Sequence, residues 1–158
     1  MAQMEIVGQK QANCGYEYHC QFKNAPVSFV NSIRRVLLGD IPTVVIRDVE
    51  ILENSSQIPH EMVKHRVEML PVMALPSDAS TIRDAKIELR ILPSPEPRTI
   101  RTNDFVVSKA PGTLLMGDRD TGAPLLFIKL GPNESIHIKA GLSVETKTAS
   151  QVCVSTTQ

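Results

Sequence analysis

Apolar residues recur at helical spacing near the start of the chain, at intervals of three and four residues, which predicts an amphipathic helix. The members of this stripe are Val27, Val30, Ile33 and Leu37, widened by Phe29, Val36 and Leu38. Gly39 closes the predicted helix, and Pro42 prevents its resumption. The stripe is wider than one sheet face needs to cover. It is equally typical of a core helix ending in two solvated arginines, Arg34 and Arg35, and of a buried subunit interface.

Proline marks the start of two predicted helices. In the first, Asn24 is the predicted N-cap and Pro26 lies in the first turn. The second helix is predicted from His60 to Leu70, directly after Pro59, with the negative charge of Glu61 in its first turn.

One side of the second helix combines apolar residues with a cation. The residues on that side are Met62, Val63, Arg66, Met69 and Leu70. An arginine within an apolar arc needs a carboxylate, a carbonyl oxygen or a subunit boundary, and the alternative is a snorkelling Arg66 beside a surface His65.

Alternation with a period of two predicts strands elsewhere in the chain. The predicted strands are Met4–Gln9, Cys14–Phe22 with one face buried, Thr43–Leu52 buried on both faces, Ile87–Ile91, Phe105–Val107, Leu125–Leu130 and Ile136–Leu142. Ser77 to Thr81 is predicted to be a polar connector, and residues 110–124 a long loop. Residues 131–134 are predicted to be a hairpin turn between the last two strands.

Composition limits the classes of function. Lys plus Arg equals Asp plus Glu at 17 each in 158 residues, and no Trp is present, so strong direct binding of nucleic acid is not expected. No apolar run approaches the roughly 18 residues of a membrane span, and no signal peptide is recognised. Neither a C-x-x-C pair nor a Cys/His cluster occurs. The sequence therefore predicts an intracellular chain without membrane contact, metal or cofactor.

Three linked motifs lie within about fifty residues. They are the N-S-I-R-R-V-L-L-G-D-I-P-T run from Asn31 to Thr43, the E-N-S-S turn from Glu53 to Ser56, and the helix from His60 to Pro71 with Glu61, His65, Arg66 and Pro71 in register. Together they resemble the alpha-like subunit family of multisubunit DNA-directed RNA polymerases. That family comprises the N-terminal domain of bacterial alpha, its archaeal counterpart and the eukaryotic third-largest subunit. The match is closest to the archaeal and eukaryotic branch.

The resemblance implies an α+β fold in which an alpha-like dimerisation domain, with helices packed on a small sheet, is interrupted by a β-rich insert domain. The first part of the dimerisation domain would span residues 1–76 and the insert 77–158. The family's returning C-terminal dimerisation helix is not found in the sequence. The chain is therefore expected to be part of a longer or split subunit, or a reduced version such as one encoded by a large DNA virus. A partner chain supplying that helix is a further alternative.

The function implied by the resemblance is non-catalytic. Such a subunit pairs with a smaller alpha-like subunit and docks the second-largest, beta-like subunit, while magnesium is held in the large subunits of this nucleotidyltransferase complex. Transcription would place the chain in the nucleus, the cytoplasm or a virion. Residues implied at the small-partner interface are Phe29, Val30, Ile33, Leu37 and Leu38. Residues implied in large-subunit contact are Asn31, Arg34, Arg35, His65 and Arg66.

Asp120-Thr121-Gly122 supports an alternative from another class, a homodimeric aspartic protease of the retroviral type. In such enzymes two buried carboxylates share one proton and activate water. The residues before Asp120 are Gly117, Asp118 and Arg119, which indicate an open polar turn rather than a buried strand end. The protease interpretation is therefore disfavoured by the sequence.

Overall fold

The computed structural model describes residues 3–12, 15–108, 114–118 and 120–146. They form an α+β fold, as predicted. The elements are β1 (Gln3–Ala12), β2 (Gly15–Lys23), α1 (Val27–Gly39), β3 (Thr43–Asn54), α2 (His60–Glu68), α3 (Ala79–Asp84), β4 (Lys86–Ile91), β5 (Arg98–Arg101), β6 (Val106–Ser108), β7 (Leu126–Leu130) and β8 (Ile136–Glu145), with a 3-10 turn at Thr102–Asp104.

Three antiparallel sheets organise these elements. The largest has the strand order β3-β8-β4-β6, so that β8 lies between β3 and β4. Strands β5 and β7 form a second sheet, and β1 and β2 form a two-stranded hairpin. The pairing of β3 with β8 runs from Thr43 opposite Glu145 to Asn54 opposite Ile136, so it joins residues 82 to 102 positions apart in sequence.

The hydrophobic core is formed by the four-stranded sheet, the β5–β7 sheet, α2 and the segments that connect them. Its most deeply buried side chains include Ile46, Val63, Val67, Leu89, Phe127 and Ile138. Val44, Val45 and Ile46 are consecutive and at most 1% exposed, which confirms the predicted burial of the start of β3 on both faces. Apolar β-branched residues dominate this part of β3 because both faces of the strand are covered.

The predicted domain boundary between residues 76 and 77 falls inside this core. Strand β3 and helix α2 precede that boundary, and they pack in one cluster with β4, β7 and β8, which follow it. Residues on both sides of position 76 therefore contribute to one core. The assignment of the family's dimerisation and insert domains to particular residues stays a prediction. The predicted absence of a returning C-terminal helix concerns residues 147–158, which lie outside the described part.

The turn at residues 131–134 is present, with the amide of Glu134 donating to the carbonyl of Gly131 at 3.3 Å. The predicted hairpin across it is wrong, because β7 pairs with β5 whereas β8 pairs with β3 and β4. The turn thus carries the chain from one sheet to the other. Its Asn133 has a φ of 61°, a left-handed conformation that asparagine tolerates.

Three local expectations also differ from the structure. Asn24 is not the N-cap of α1: Pro26 occupies that position, and Asn24 has a positive φ of 54°. The polar connector at 77–81 contains the start of α3, which is too short to show helical periodicity in sequence. The predicted burial of one face of β2 is wrong at Tyr18 and Cys20, which are exposed, whereas the side chains of Cys14 and Tyr16 lie outside the described part.

An ionisable pair joins β4 and β8. The Nε2 atom of His137 lies 2.7 Å from Oε1 of Glu88. This hydrogen bond is the main cause of a Glu88 pKa below its usual value; burial acts in the opposite direction, and the positive charge of Lys139 adds a smaller lowering effect.

Glu88→Gln is expected to lower the stability of the chain near neutral pH. A lowered folded-state pKa stabilises the fold above the ordinary pKa of the carboxyl group, and this contribution is lost as the pH falls through the folded-state value. The difference in urea midpoint between wild type and variant should therefore become smaller when the pH is lowered from about 7 to about 3. Glu96→Gln, in an exposed loop, controls for loss of a carboxyl group. An equal difference at both pH values would show that the ionised Glu88 carboxylate does not stabilise the fold.

Candidate subunit interface

Helix α1 is an amphipathic helix whose apolar face the described part of the chain does not bury. It contains no buried residue. Val27 is 85% exposed, Phe29 and Val36 are each 50% exposed, and Leu37 is 38% exposed. Val30, Ile33 and Leu38 are half-buried. A contiguous exposed apolar surface of this kind is typical of a site that binds another molecule.

The β1–β2 hairpin extends this uncovered apolar surface. Met4, Ile6 and Tyr18 are each more than half exposed. Opposite Met4 in the pairing is Phe22, and opposite Ile6 is Cys20, so these side chains share one face of the hairpin. On the hairpin's other face, Lys23 Nζ donates to Glu5 Oε2 at 2.9 Å. The hairpin is therefore amphipathic.

No side chain described before Val44 is buried. An isolated two-stranded hairpin is marginally stable in water, and so is a single helix of about this length. The described residues from 3 to 42 contain both elements without a core of their own. The described residues thus leave the apolar surface of both elements accessible.

The polar edge of α1 carries three of the predicted large-subunit contacts. Arg34 donates from Nε and Nη2 to Oδ1 of Asn31 at 3.2 and 3.0 Å, which fixes the guanidinium along the helix surface. Arg35 is exposed. All three residues lie on α1, whereas the other two predicted contacts, His65 and Arg66, lie on α2.

Helix α2 presents a second apolar stripe to the solvent. Val63 and Val67 are fully buried against the core, whereas Met62 is 54% and Met69 is 43% exposed. Met62 and Met69 flank the exposed His65 at positions i−3 and i+4, so the three side chains share one helix face. The sequence predicts both methionines on the same side of the helix as Val63 and Leu70. In the structure Val63 and Leu70 are buried, whereas both methionines are exposed.

Arg66 has a partner within the chain. Its Nη1 donates to the backbone carbonyl of Phe127 on β7 at 2.9 Å, and a carbonyl oxygen is one of the acceptors predicted for an arginine in this arc. Phe127 itself is buried and packs edge-on against Phe105, with ring centroids 5.1 Å apart.

Arg47 of β3 forms a second anchor for α2, which the sequence analysis missed. Its Nε and Nη2 donate to the two carboxylate oxygens of Glu145 at 2.7 and 2.9 Å, and its Nη1 lies 3.4 Å from Glu68 of α2. The bond to Glu145 is the main cause of a raised Arg47 pKa, which burial opposes. A charged residue inside the apolar run of β3 was the available sequence signal.

The E-N-S-S motif is a hydrogen-bonded turn that leads from β3 towards α2. Asn54 accepts from the amide and hydroxyl of Ser56 at 3.1 and 2.6 Å, and its side-chain amide donates to the carbonyl of Ile58 at 2.9 Å. The amide of buried Ser135 donates to Ser55 Oγ at 2.6 Å, and the Ser135 hydroxyl donates to Glu53. These residues therefore hold the turn against the start of β8.

Asp120-Thr121-Gly122 lies in an exposed turn. Oδ1 of Asp118 accepts the amides of Asp120 and Thr121 at 3.2 and 2.9 Å and the Thr121 hydroxyl at 2.7 Å, bonds that lower the Asp118 pKa. A shared-proton protease dyad needs a carboxylate buried against its twin. The exposed turn does not provide that environment.

Other site types receive no support from the described residues. Within residues 3–12, 15–108, 114–118 and 120–146, no group of three or more His, Cys, Asp or Glu side chains could hold a metal ion. None of the helices in this part of the chain is long and apolar enough to span a membrane.

Fold and site together define an α+β chain with an uncovered amphipathic helix and hairpin at its N-terminal side. No protein-family model matches the chain. Curated relatives do, and they confirm the predicted resemblance to alpha-like RNA polymerase subunits. The chain is similar to DNA-directed RNA polymerase subunit Rpo3 of Methanocaldococcus jannaschii, with 38% identity over 71 residues, which cover 45% of this chain and 37% of the relative.

Two further relatives extend this similarity. The Rpo3 subunit of Pyrobaculum calidifontis is 29% identical over 129 residues, which cover 75% of this chain and 48% of the relative. Subunit RPB3 of DNA-directed RNA polymerase II from Schizosaccharomyces pombe is 47% identical over 49 residues, 31% of this chain and 16% of the relative. The chain thus spans less than half the length of each of these relatives.

Proposed function

We propose that this chain is a non-catalytic assembly subunit of a multisubunit DNA-directed RNA polymerase. Similarity to Rpo3 and RPB3 subunits supports this proposal. The observation that carries it is the uncovered apolar face of α1, because a helix without a buried residue needs a partner to exclude water from it. The chain would act inside the cell, where transcription takes place.

The proposed partner on α1 is a smaller alpha-like subunit. Phe29, Val30, Ile33, Leu37 and Leu38 would form the contact, since all five side chains are at least partly accessible. An apolar helix of the partner laid along this face would bury them by helix-to-helix packing. The chain itself would bind no cofactor, and magnesium would be held by the large subunits, where nucleotidyl transfer takes place.

The second proposed partner is the second-largest, beta-like subunit. Asn31, Arg34 and Arg35 on α1 and the turn of α2 that carries His65 and Arg66 would form the docking region. Guanidinium groups suit this role because they pair with carboxylates through two parallel hydrogen bonds. Docking on the paired subunits would then organise the larger assembly.

Arg35→Ala is expected to weaken recruitment of the large subunit while leaving the pairing with the small subunit intact. Loss of hydrogen bonds from a charged donor should reduce the affinity about tenfold or more. The measurement is a titration of the purified small-subunit complex with the large subunit. Arg83→Ala, which removes an arginine 79% exposed on α3, is the matched control. Unchanged recruitment by the Arg35 variant would show that Arg35 has no part in docking.

A further inference from the structure

The last turn of α2 is anchored to the four-stranded sheet and to the β5–β7 sheet by two arginines. Arg66 of this turn donates to the carbonyl of Phe127 in the β5–β7 sheet at 2.9 Å. Glu68, two residues further on, lies 3.4 Å from Arg47 of the four-stranded sheet. Arg47 is itself oriented by two bonds to Glu145. The turn therefore connects the two sheets.

The geometry of the Arg66 bond favours a role inside the chain. Its acceptor is a backbone carbonyl of a strand whose side chain at that position, Phe127, is 2% exposed. A bond to a fixed backbone atom restricts the position of the helix to which the donor belongs. His65, the neighbouring residue, is exposed between Met62 and Met69 and is directed away from the core residues Val63 and Val67.

We propose that Arg66 is a positioning residue rather than a contact residue of the docking region. It holds α2 against β7, so that the surface formed by Met62, His65 and Met69 is presented in one orientation. Contact with the large subunit is then made by His65 and the two methionines, whose flexible side chains adapt to an apolar partner surface. This inference rests on the proposed function only for the identity of the partner.

Arg47 acts in the same way from the other sheet. Its side chain is 20% exposed, and Glu68 and Glu145 are 22% and 26% exposed, so the three charges are partly shielded from solvent. The ion pair with Glu68 fixes the end of α2, and the bonds to Glu145 fix Arg47. A helix held at two points loses less conformational entropy on binding than one that must be ordered by its partner.

Arg66→Ala and Arg66→Lys separate positioning from contact. A single carbonyl acceptor needs one donor, which lysine can supply, whereas a bidentate contact with a partner carboxylate cannot be replaced by lysine. In the full chain alone, hydrogen exchange of the α2 amides should become about tenfold faster in Arg66→Ala and remain near the wild-type rate in Arg66→Lys. His65→Ala, the matched control from the same turn, should leave the exchange unchanged.

The same variants are then titrated with the large subunit as small-subunit complexes. We expect about tenfold weaker binding for Arg66→Ala and for His65→Ala, and recovery for Arg66→Lys. Weak binding by Arg66→Lys with wild-type α2 exchange would overturn the inference, because it would show direct contact. Wild-type α2 exchange in Arg66→Ala would overturn it as well. Absence of large-subunit binding in the wild-type complex would instead contradict the proposed function, and the exchange result would still decide the role of Arg66.

Discussion

Leu37→Asp should abolish pairing with the small alpha-like subunit. Leu37 lies on the apolar face of α1 and is 38% exposed, so the described part of the chain leaves room for a partner around it. A carboxylate placed there would be buried without a partner of opposite charge on pairing, at a cost of about 3–5 kcal/mol. That cost corresponds to an affinity loss of about a hundredfold or more. Co-purification of the two subunits after co-expression measures the effect.

Ser28→Asp is the matched control on the same helix. Ser28 lies nine residues before Leu37, which at about 100° per residue puts the two side chains on opposite sides of α1. A carboxylate at Ser28 also lies in the first turn, where it interacts favourably with the helix dipole. The control should therefore pair normally, and both variants should keep the wild-type circular dichroism. Normal pairing of Leu37→Asp would move the proposed interface away from this face.

Local patterns predicted α1 and α2 well because helices depend on neighbours three and four residues away. Helix α1 ends at Gly39, as the sequence predicts, and α2 starts at His60. The pairing of strands was predicted less well. The chain turns at residues 131–134, but β7 and β8 find their partners in β5 and in β3 and β4, tens of residues away. Sequence alternation identifies a strand but does not identify its neighbour.

The candidate site was likewise only partly predictable from the sequence. The apolar stripe of α1 was visible in the sequence, and its exposure in the described chain supports an interface rather than a core helix. The acceptor for Arg66 was not visible, because the carbonyl of Phe127 lies 61 residues away. The Arg47 anchor was missed for a similar reason, since its partner Glu145 is brought close only by the pairing of β3 with β8. Whether the interface residues contact the proposed subunits stays a prediction.

Phe127→Ala should cause the largest loss of stability among single changes at the site. The side chain is 2% exposed, and its ring packs against Phe105 at an interplanar angle of 79°. Deleting a buried phenylalanine side chain costs about 3–5 kcal/mol through lost burial and the cavity that remains. For a chain of about this size, each kcal/mol lowers the melting temperature by about 2–4 °C, so a decrease of about 6–20 °C is expected. Thermal unfolding followed by circular dichroism measures it.

Leu126→Ala is the neighbouring control on β7. Leu126 is 52% exposed, so its truncation should change the free energy of unfolding by only about 0.5 kcal/mol. Similar losses in both variants would show that β7 does not bury Phe127 as the structure has it.

At a temperature where Phe127→Ala remains folded, pairing through α1 should persist, because no residue of α1 belongs to the core that Phe127 fills. Docking of the large subunit should weaken, since a perturbed β7 also displaces the acceptor that holds Arg66 and, with it, the last turn of α2.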